Sequence, residues 1–336
     1  MSQSFAIALI GATGLVGETL IELLEEREFP VSTLHLLASA ESAGQSFAFR
    51  GKNLRVRDVA EFDFAQVQIA FFAAGEAVTR SFAPRARAAG CALIDLSGAL
   101  LPDEAPRIVP EVNAGAVAAL KPPYVLASPL SPVVMLACVL APLAREHTLR
   151  RLTVTAALAI SQRGREGVTE LARQTAELLN ARPLEPRLFD RQMAFNLLAQ
   201  VGQVDGEGQA LLERRLAAEL RQVLVLPELK VSATCVQAPV FFGDSLSVSL
   251  LSAEALAPEQ ARAMLACESA LEVVEEGDYP TAVGDAVGQD AIYVGRLRQG
   301  LDDATELNLW ITSDNVRKGA ALNAVQIAEL LIKHYL

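Results

Sequence analysis

The chain has 336 residues, 51% hydrophobic and 21% charged, which is enough apolar material for two domains with separate cores and excludes a disordered chain. A formal net charge of −11 with 5% aromatic residues excludes nucleic acid and anionic membrane as partners, because both need clustered Lys and Arg, and single strands also need stacking platforms. The start, Met1-Ser2-Gln3-Ser4, has neither a basic region nor a cleavage pattern, so a cytoplasmic setting is expected.

Residues 5–10 form a continuous apolar run ending in glycine and predict a buried strand, and the amphipathic stretch 17–27 predicts the helix that follows. Apolar runs at 33–37, 69–73 and 92–94, separated by polar or helical segments, continue the βαβ alternation of a doubly wound parallel sheet. This α/β domain, of Rossmann type, is expected over residues 1–129. The longest apolar stretch, 124–143, is broken by Pro129, Pro132, Pro142 and serines, which marks buried core rather than a membrane span, and 133–143 reads as a helix within it. Long strands at 151–160, 230–236 and 244–251, mixed with helices at 167–179 and 208–223, predict a second α+β domain over 130–315. Residues 180–206, rich in Pro, Arg and Gln, predict a surface excursion. A final helix is expected at 317–336.

Cys91, Cys138, Cys235 and Cys267 stand singly in apolar surroundings, without a CxxC pair or a histidine at ligand spacing, so buried reduced thiols and no metal site are expected. The glycines of Gly11-Ala12-Thr13-Gly14-Leu15-Val16-Gly17 lie between strand and helix. They permit a tight turn and a close backbone approach to pyrophosphate at the helix N-terminus. A tight turn kept only for folding remains the alternative.

This loop joins Val109-Pro110-Glu111-Val112-Asn113, Ser232-Ala233-Thr234-Cys235-Val236 and the run from Asn315 to Glu329, Asn-Val-Arg-Lys-Gly-Ala-Ala-Leu-Asn-Ala-Val-Gln-Ile-Ala-Glu, in one order. In these four segments the chain resembles the aspartate-semialdehyde dehydrogenase family, and within it the Usg-type paralogues that lack the catalytic cysteine. The resemblance implies a Rossmann domain, a dimerisation and former catalytic domain, and a C-terminal segment, 316–336, returning to the first domain. It also implies a homodimer, with a mixed dimer formed with an active paralogue as a further form. Cofactor positions carried over are Gly11, Thr13, Gly14, Leu15, Val16 and Gly17, with Ser39, Glu41 and Ser42 from Ser39-Ala40-Glu41-Ser42-Ala43-Gly44. Relatives have arginine where Glu41 stands, and a carboxylate repels a 2′-phosphate, so NADP is disfavoured while NAD binding stays open. An ordinary solvated Glu41 is the alternative.

The departures fall on the chemistry. The family's Ala-Asn-Pro-Asn-Cys-Ser/Thr aligns with Ala127-Ser128-Pro129-Leu130-Ser131-Pro132, so the nucleophilic cysteine is Ser131. The orienting glutamine of Tyr-Gln-Ala-Val-Ser-Gly-Ala-Gly becomes Leu158, the carboxylate-gripping arginine Gln237, and the basic histidine Asp244. Leu101 replaces a phosphate arginine, Leu212 a substrate glutamate, and Arg215 a lysine. The remaining histidines, His35, His147 and His334, belong to a strand, a helix end and the last helix. Cys138, about two helical turns beyond Ser131, is expected in the core. The reading is a catalytically inactive homologue that acts as a dimeric binding or regulatory protein and requires no cofactor. The alternatives are an NAD(P)-dependent semialdehyde dehydrogenase-type oxidoreductase with altered substrate and cofactor preference, and a hydrolase built on Ser131 and Asp244.

Overall fold

The computed structural model describes residues 3–336; the reading of Met1 and Ser2 as the start of a leaderless chain lies outside them. The chain divides into two units. The first comprises residues up to 129 and 320–336, and the second is the continuous stretch 130–319.

In the first unit, β1 (Phe5–Ile10), α1 (Leu15–Glu26), β2 (Val31–Ala38), β3 (Ser46–Phe49), β4 (Lys52–Arg55), β5 (Arg57–Asp58), β6 (Ile69–Phe72), α2 (Glu76–Ala88), β7 (Ala92–Asp95), α3 (Pro110–Asn113) and β8 (Val125–Ala127) follow in order. The sheet runs β5-β2-β1-β6-β7-β8 and its pairings are parallel; β3 and β4 form a separate hairpin. Strands covered on both faces need apolar residues at successive positions. Ile69, Ala70, Phe71 and Phe72 of β6 are accordingly all fully buried. On one face the sheet packs against α1 and the chain's last helix through Leu20, Leu24, Val325, Ile327 and Leu331. Arg27 holds that helix in place with two hydrogen bonds to Glu329, at 2.7 and 2.8 Å.

The second unit contains α4 (Ser131–Glu146), β9 (Leu149–Leu158), α5 (Gly164–Leu179), α6 (Leu211–Leu224), β10 (Lys230–Gln237), β11 (Asp244–Ser252), α7 (Pro258–Leu265), β12 (Leu271–Val273), β13 (Ile292–Gln299) and β14 (Glu306–Ser313). Its sheet, β10-β9-β11-β14-β13-β12, is mixed: the central pairs are antiparallel and the outer pairs, β10 with β9 and β12 with β13, are parallel. Period-two alternation gives it two unlike faces. Leu152, Val154, Ala156, Leu246, Val248, Leu250, Leu307, Leu309 and Ile311 are buried, whereas Thr153, Thr155 and Ser247 are exposed.

The expected C-terminal helix differs in form. Arg317–Leu322 is a π-helical turn, and α8 proper is Asn323–His334. The unit boundary falls inside that turn, between Gly319 and Ala320. One cysteine expectation is corrected: Cys91, Cys138 and Cys235 are buried, but Cys267 is exposed just beyond α7. No helix among the described residues is long and apolar enough to cross a membrane.

Candidate functional site

Register assembles the centre of the second unit. Gln237 pairs with Leu158 across parallel β10 and β9, and Ser245 pairs with Ala157 across antiparallel β11 and β9. The ends of β9 and β10 therefore meet the start of β11, bringing Leu158, Gln237 and Asp244 together. Gly243, with φ +88°, makes the turn before Asp244 in a backbone region that side chains disfavour. Asn315 fixes that turn by accepting the Gly243 N–H at 2.9 Å and donating to Ser161 Oγ at 3.0 Å.

Ser131 opens α4, and its Oγ donates to Asp244 Oδ2 at 3.0 Å. Asp244 also accepts from Gln162 Nε2 at 2.9 Å on the same oxygen and from Ala159 N–H at 2.9 Å on the other. Burial raises its carboxyl above the ordinary range, the three donors hold it down, and nearby Asp314 pushes it up again. Desolvation prevails and the group is pushed up to about 7. A side chain on Gly319 would overlap Ser131 Oγ, so this position admits only glycine while Ser131 keeps its place.

Leu158 is fully buried and contributes its backbone carbonyl, which accepts from Gln237 Nε2 at 2.8 Å. Gln162 was not among the expected site residues. It stands where relatives have glycine, and the 3-10 turn Ile160–Arg163 swings its amide back to Asp244. That glycine-to-glutamine change was the available signal. Arg215 retains its charge but bonds Glu219 at 2.8 Å; Glu219, 2% exposed, also accepts the Leu130 N–H at 2.8 Å. Leu101 lies in the first unit and is exposed.

The immediate partners of Asp244 include no histidine. His35 is in β2 beside Arg57, His147 ends α4 against Gln260, and His334 ends α8. Cys138 is buried within α4. Burial raises the Cys91 thiol to about 11 and the Cys235 thiol to about 12, so neither supplies a thiolate. Among the described residues no group of three or more His, Cys, Asp or Glu could hold a metal ion.

In the first unit the glycine loop leads from β1 into α1. A Cβ on Gly11 (φ +88°) would lie 2.6 Å from Ala73 O, and one on Gly17 would overlap Gly11 O, so backbone packing alone demands both glycines. Gly14 caps α1 without a side-chain hydrogen bond, and the first-turn amides at Leu15, Val16 and Gly17 are those any helix leaves unpaired. Thr13 flanks them, half-buried. The glycine turn and the first-turn amides of α1 are the groups that would hold the pyrophosphate of a dinucleotide. Ser39 and Glu41 are exposed in the turn after β2, with Ser42 half-buried between them and Gly44.

A parallel dinucleotide-type sheet in one unit and a mixed sheet with a buried polar cluster at its strand ends in the other define a dehydrogenase-like, two-unit architecture. Residues 140–318 match the semialdehyde dehydrogenase dimerisation domain and residues 6–120 its NAD binding domain. A USG-1 protein homolog from Azotobacter vinelandii is 60% identical over 333 residues, 99% of either chain. Aspartate-semialdehyde dehydrogenase 2 of Vibrio cholerae is 41% identical over the whole of both chains. The solved structure of a probable aspartate-semialdehyde dehydrogenase from Pseudomonas aeruginosa superposes with a TM-score of 0.97 at 58% identity, covering 99% of this chain and 100% of that one. The chain belongs to the semialdehyde dehydrogenase family.

Proposed function

We propose that this chain is a catalytically silent member of its family, acting as a homodimer through binding rather than turnover. The observation that carries this reading is the Ser131 to Asp244 hydrogen bond at 3.0 Å. An alcohol stands where relatives have a thiol, and the group that should activate it is a buried acid also held by two further donors, the Ala159 N–H and Gln162 Nε2. Loss of a nucleophile costs about a million-fold in a well-studied serine protease, which from a median turnover near 10 per second leaves roughly one event per day. The test is NADP reduction with aspartate semialdehyde and phosphate. The expected result is no specific turnover, and a rate abolished by Ser131→Ala would overturn the reading.

The dimerisation-domain match supports the homodimer, as does the exposed sheet face of Thr153, Thr155 and Ser247. An active paralogue with the same domain is a second partner under this reading, and co-expression followed by native mass measurement would reveal a mixed dimer. At the glycine loop the reading favours NAD over NADP, because a carboxylate at Glu41 would repel a 2′-phosphate bound beside it. Three buried free thiols suit a reducing, cytoplasmic setting.

The elevated proton affinity of Asp244 favours one second reading, a hydrolase in which its carboxylate draws the Ser131 proton. Against it, no imidazole relays the proton and Pro132 has no N–H to offer an oxyanion. Labelling of Ser131 by a fluorophosphonate would establish that reading, and absence of labelling would dismiss it.

A further inference from the structure

Helix α2 lies over β6 and β7 of the first sheet and approaches them through small buried residues, Thr79, Ala83 and Ala86. β8 is the last strand of that sheet. Its Val125 pairs with Leu93 of β7, so the two side chains project from the same face. Over this pair, beside α2, opens a groove of about 680 Å³, within the range of small-molecule sites. Leu93, Val125 and Ala83 form its floor, and Leu100 and Pro84 wall it. None of these residues belongs to the glycine loop or to the Asp244 cluster.

Three charged side chains line the rim, Arg80, Arg87 and Glu104. Arg80 Nη2 lies 3.6 Å from Glu76 Oε2, one turn earlier on α2, and Glu104 Oε2 accepts the Leu101 N–H at 3.0 Å. Arg85, the other cation of the last turn of α2, is turned elsewhere and donates to the carbonyls of Ala60 and Phe62. Arg87 is exposed and makes no hydrogen bond or ion pair among the described residues. Two guanidinia against one carboxylate leave the groove positive in a chain whose net charge is −11. An apolar strip that ends at such a guanidinium complements a molecule with a hydrocarbon body and one anionic head. A second charge on the ligand would lie against the apolar floor at a desolvation cost.

We propose that this groove binds a monocarboxylate with a hydrocarbon chain, of fatty-acid type, with Arg87 taking the carboxylate and Leu93, Val125 and Leu100 the chain. The inference is carried by the first unit alone and stands whether or not the second unit turns over. The full-length protein is titrated calorimetrically with hexanoate, octanoate and decanoate below their micelle concentrations, with 1-octanol as the uncharged comparison. Affinity should rise with chain length, by up to about fourfold per added CH₂ group. Octanol should bind more weakly than octanoate. Arg87→Ala should weaken decanoate at least about fivefold, the measure of a partly exposed charge-assisted pair, and Arg87→Lys less, because the charge is kept while the fork is lost. Ala88→Trp, which fills the groove from an exposed helix position, should abolish binding. Arg182→Ala, in the second unit, should leave affinity unchanged. Circular dichroism confirms that each variant is folded. Wild-type decanoate affinity in either Arg87→Ala or Ala88→Trp, equal affinity for octanol and octanoate, or no saturable binding of decanoate overturns the proposal.

Discussion

Asp244→Asn isolates the group on which the site's electrostatics turn. Raising a buried carboxyl from 3.8 to about 7 is about three pK units, or about 4 kcal/mol at 1.36 kcal/mol per unit. The folded state holds this proton more tightly than the unfolded chain does. The group's contribution is therefore complete below about pH 4 and is lost as pH rises through 7. Roughly 2.5 kcal/mol of that loss falls between pH 5 and pH 8. An asparagine never ionises. Its oxygen can still accept from Ala159 N–H and its amide can donate to Ser131 Oγ, while Gln162, an exposed residue, flips to present its own oxygen. Guanidinium unfolding of both proteins at a fixed concentration, at pH 5, 6, 7 and 8, gives the difference directly. The variant should gain about 2.5 kcal/mol relative to wild type across that range. A difference flat to within about 0.5 kcal/mol, the ordinary scatter of neutral substitutions, or one that falls with pH, would refute the reasoning.

Ser131→Cys should remain silent, because a thiol beside a buried acid and without an imidazole gains no thiolate; restored NADP reduction would contradict the account of the site. Glu41→Arg should tighten NADP at least tenfold, read as a new NADP-dependent rise in Tm, and an unchanged Tm would clear Glu41 of any part in cofactor choice. Gly17→Ala should cost roughly 2–3 kcal/mol through overlap with Gly11 O, and a loss under about 1 kcal/mol would show that the βα turn yields readily.

Strands buried on both faces were legible because a run such as Ile69 to Phe72 is apolar at every position, too short for a helix, and bounded by polar segments. β13 and β14 left a weaker trace. Gly295 breaks the first, where the β13 to β14 register shifts, and the second mixes Glu306 and Asn308 with its apolar positions. Ser131 and Asp244 were identifiable as altered positions, and their hydrogen bond follows once the fold is kept. Gln162 was harder to find. Its contact depends on how a 3-10 turn aims one side chain back at Asp244, and no periodicity in the sequence encodes that direction. Cys267 misled for a related reason: apolar neighbours in sequence do not guarantee cover at a helix end.

The first unit is made of two stretches separated by the whole of the second, and α8 supplies part of its central packing. On the ribosome, residues 130–319 emerge uninterrupted and can mature as a body while the nascent amino-terminal sheet still lacks one wall. Completion of that sheet awaits the emergence of residues 320–336. Loss of the last turns of α8 should therefore injure the unit whose sheet is made first.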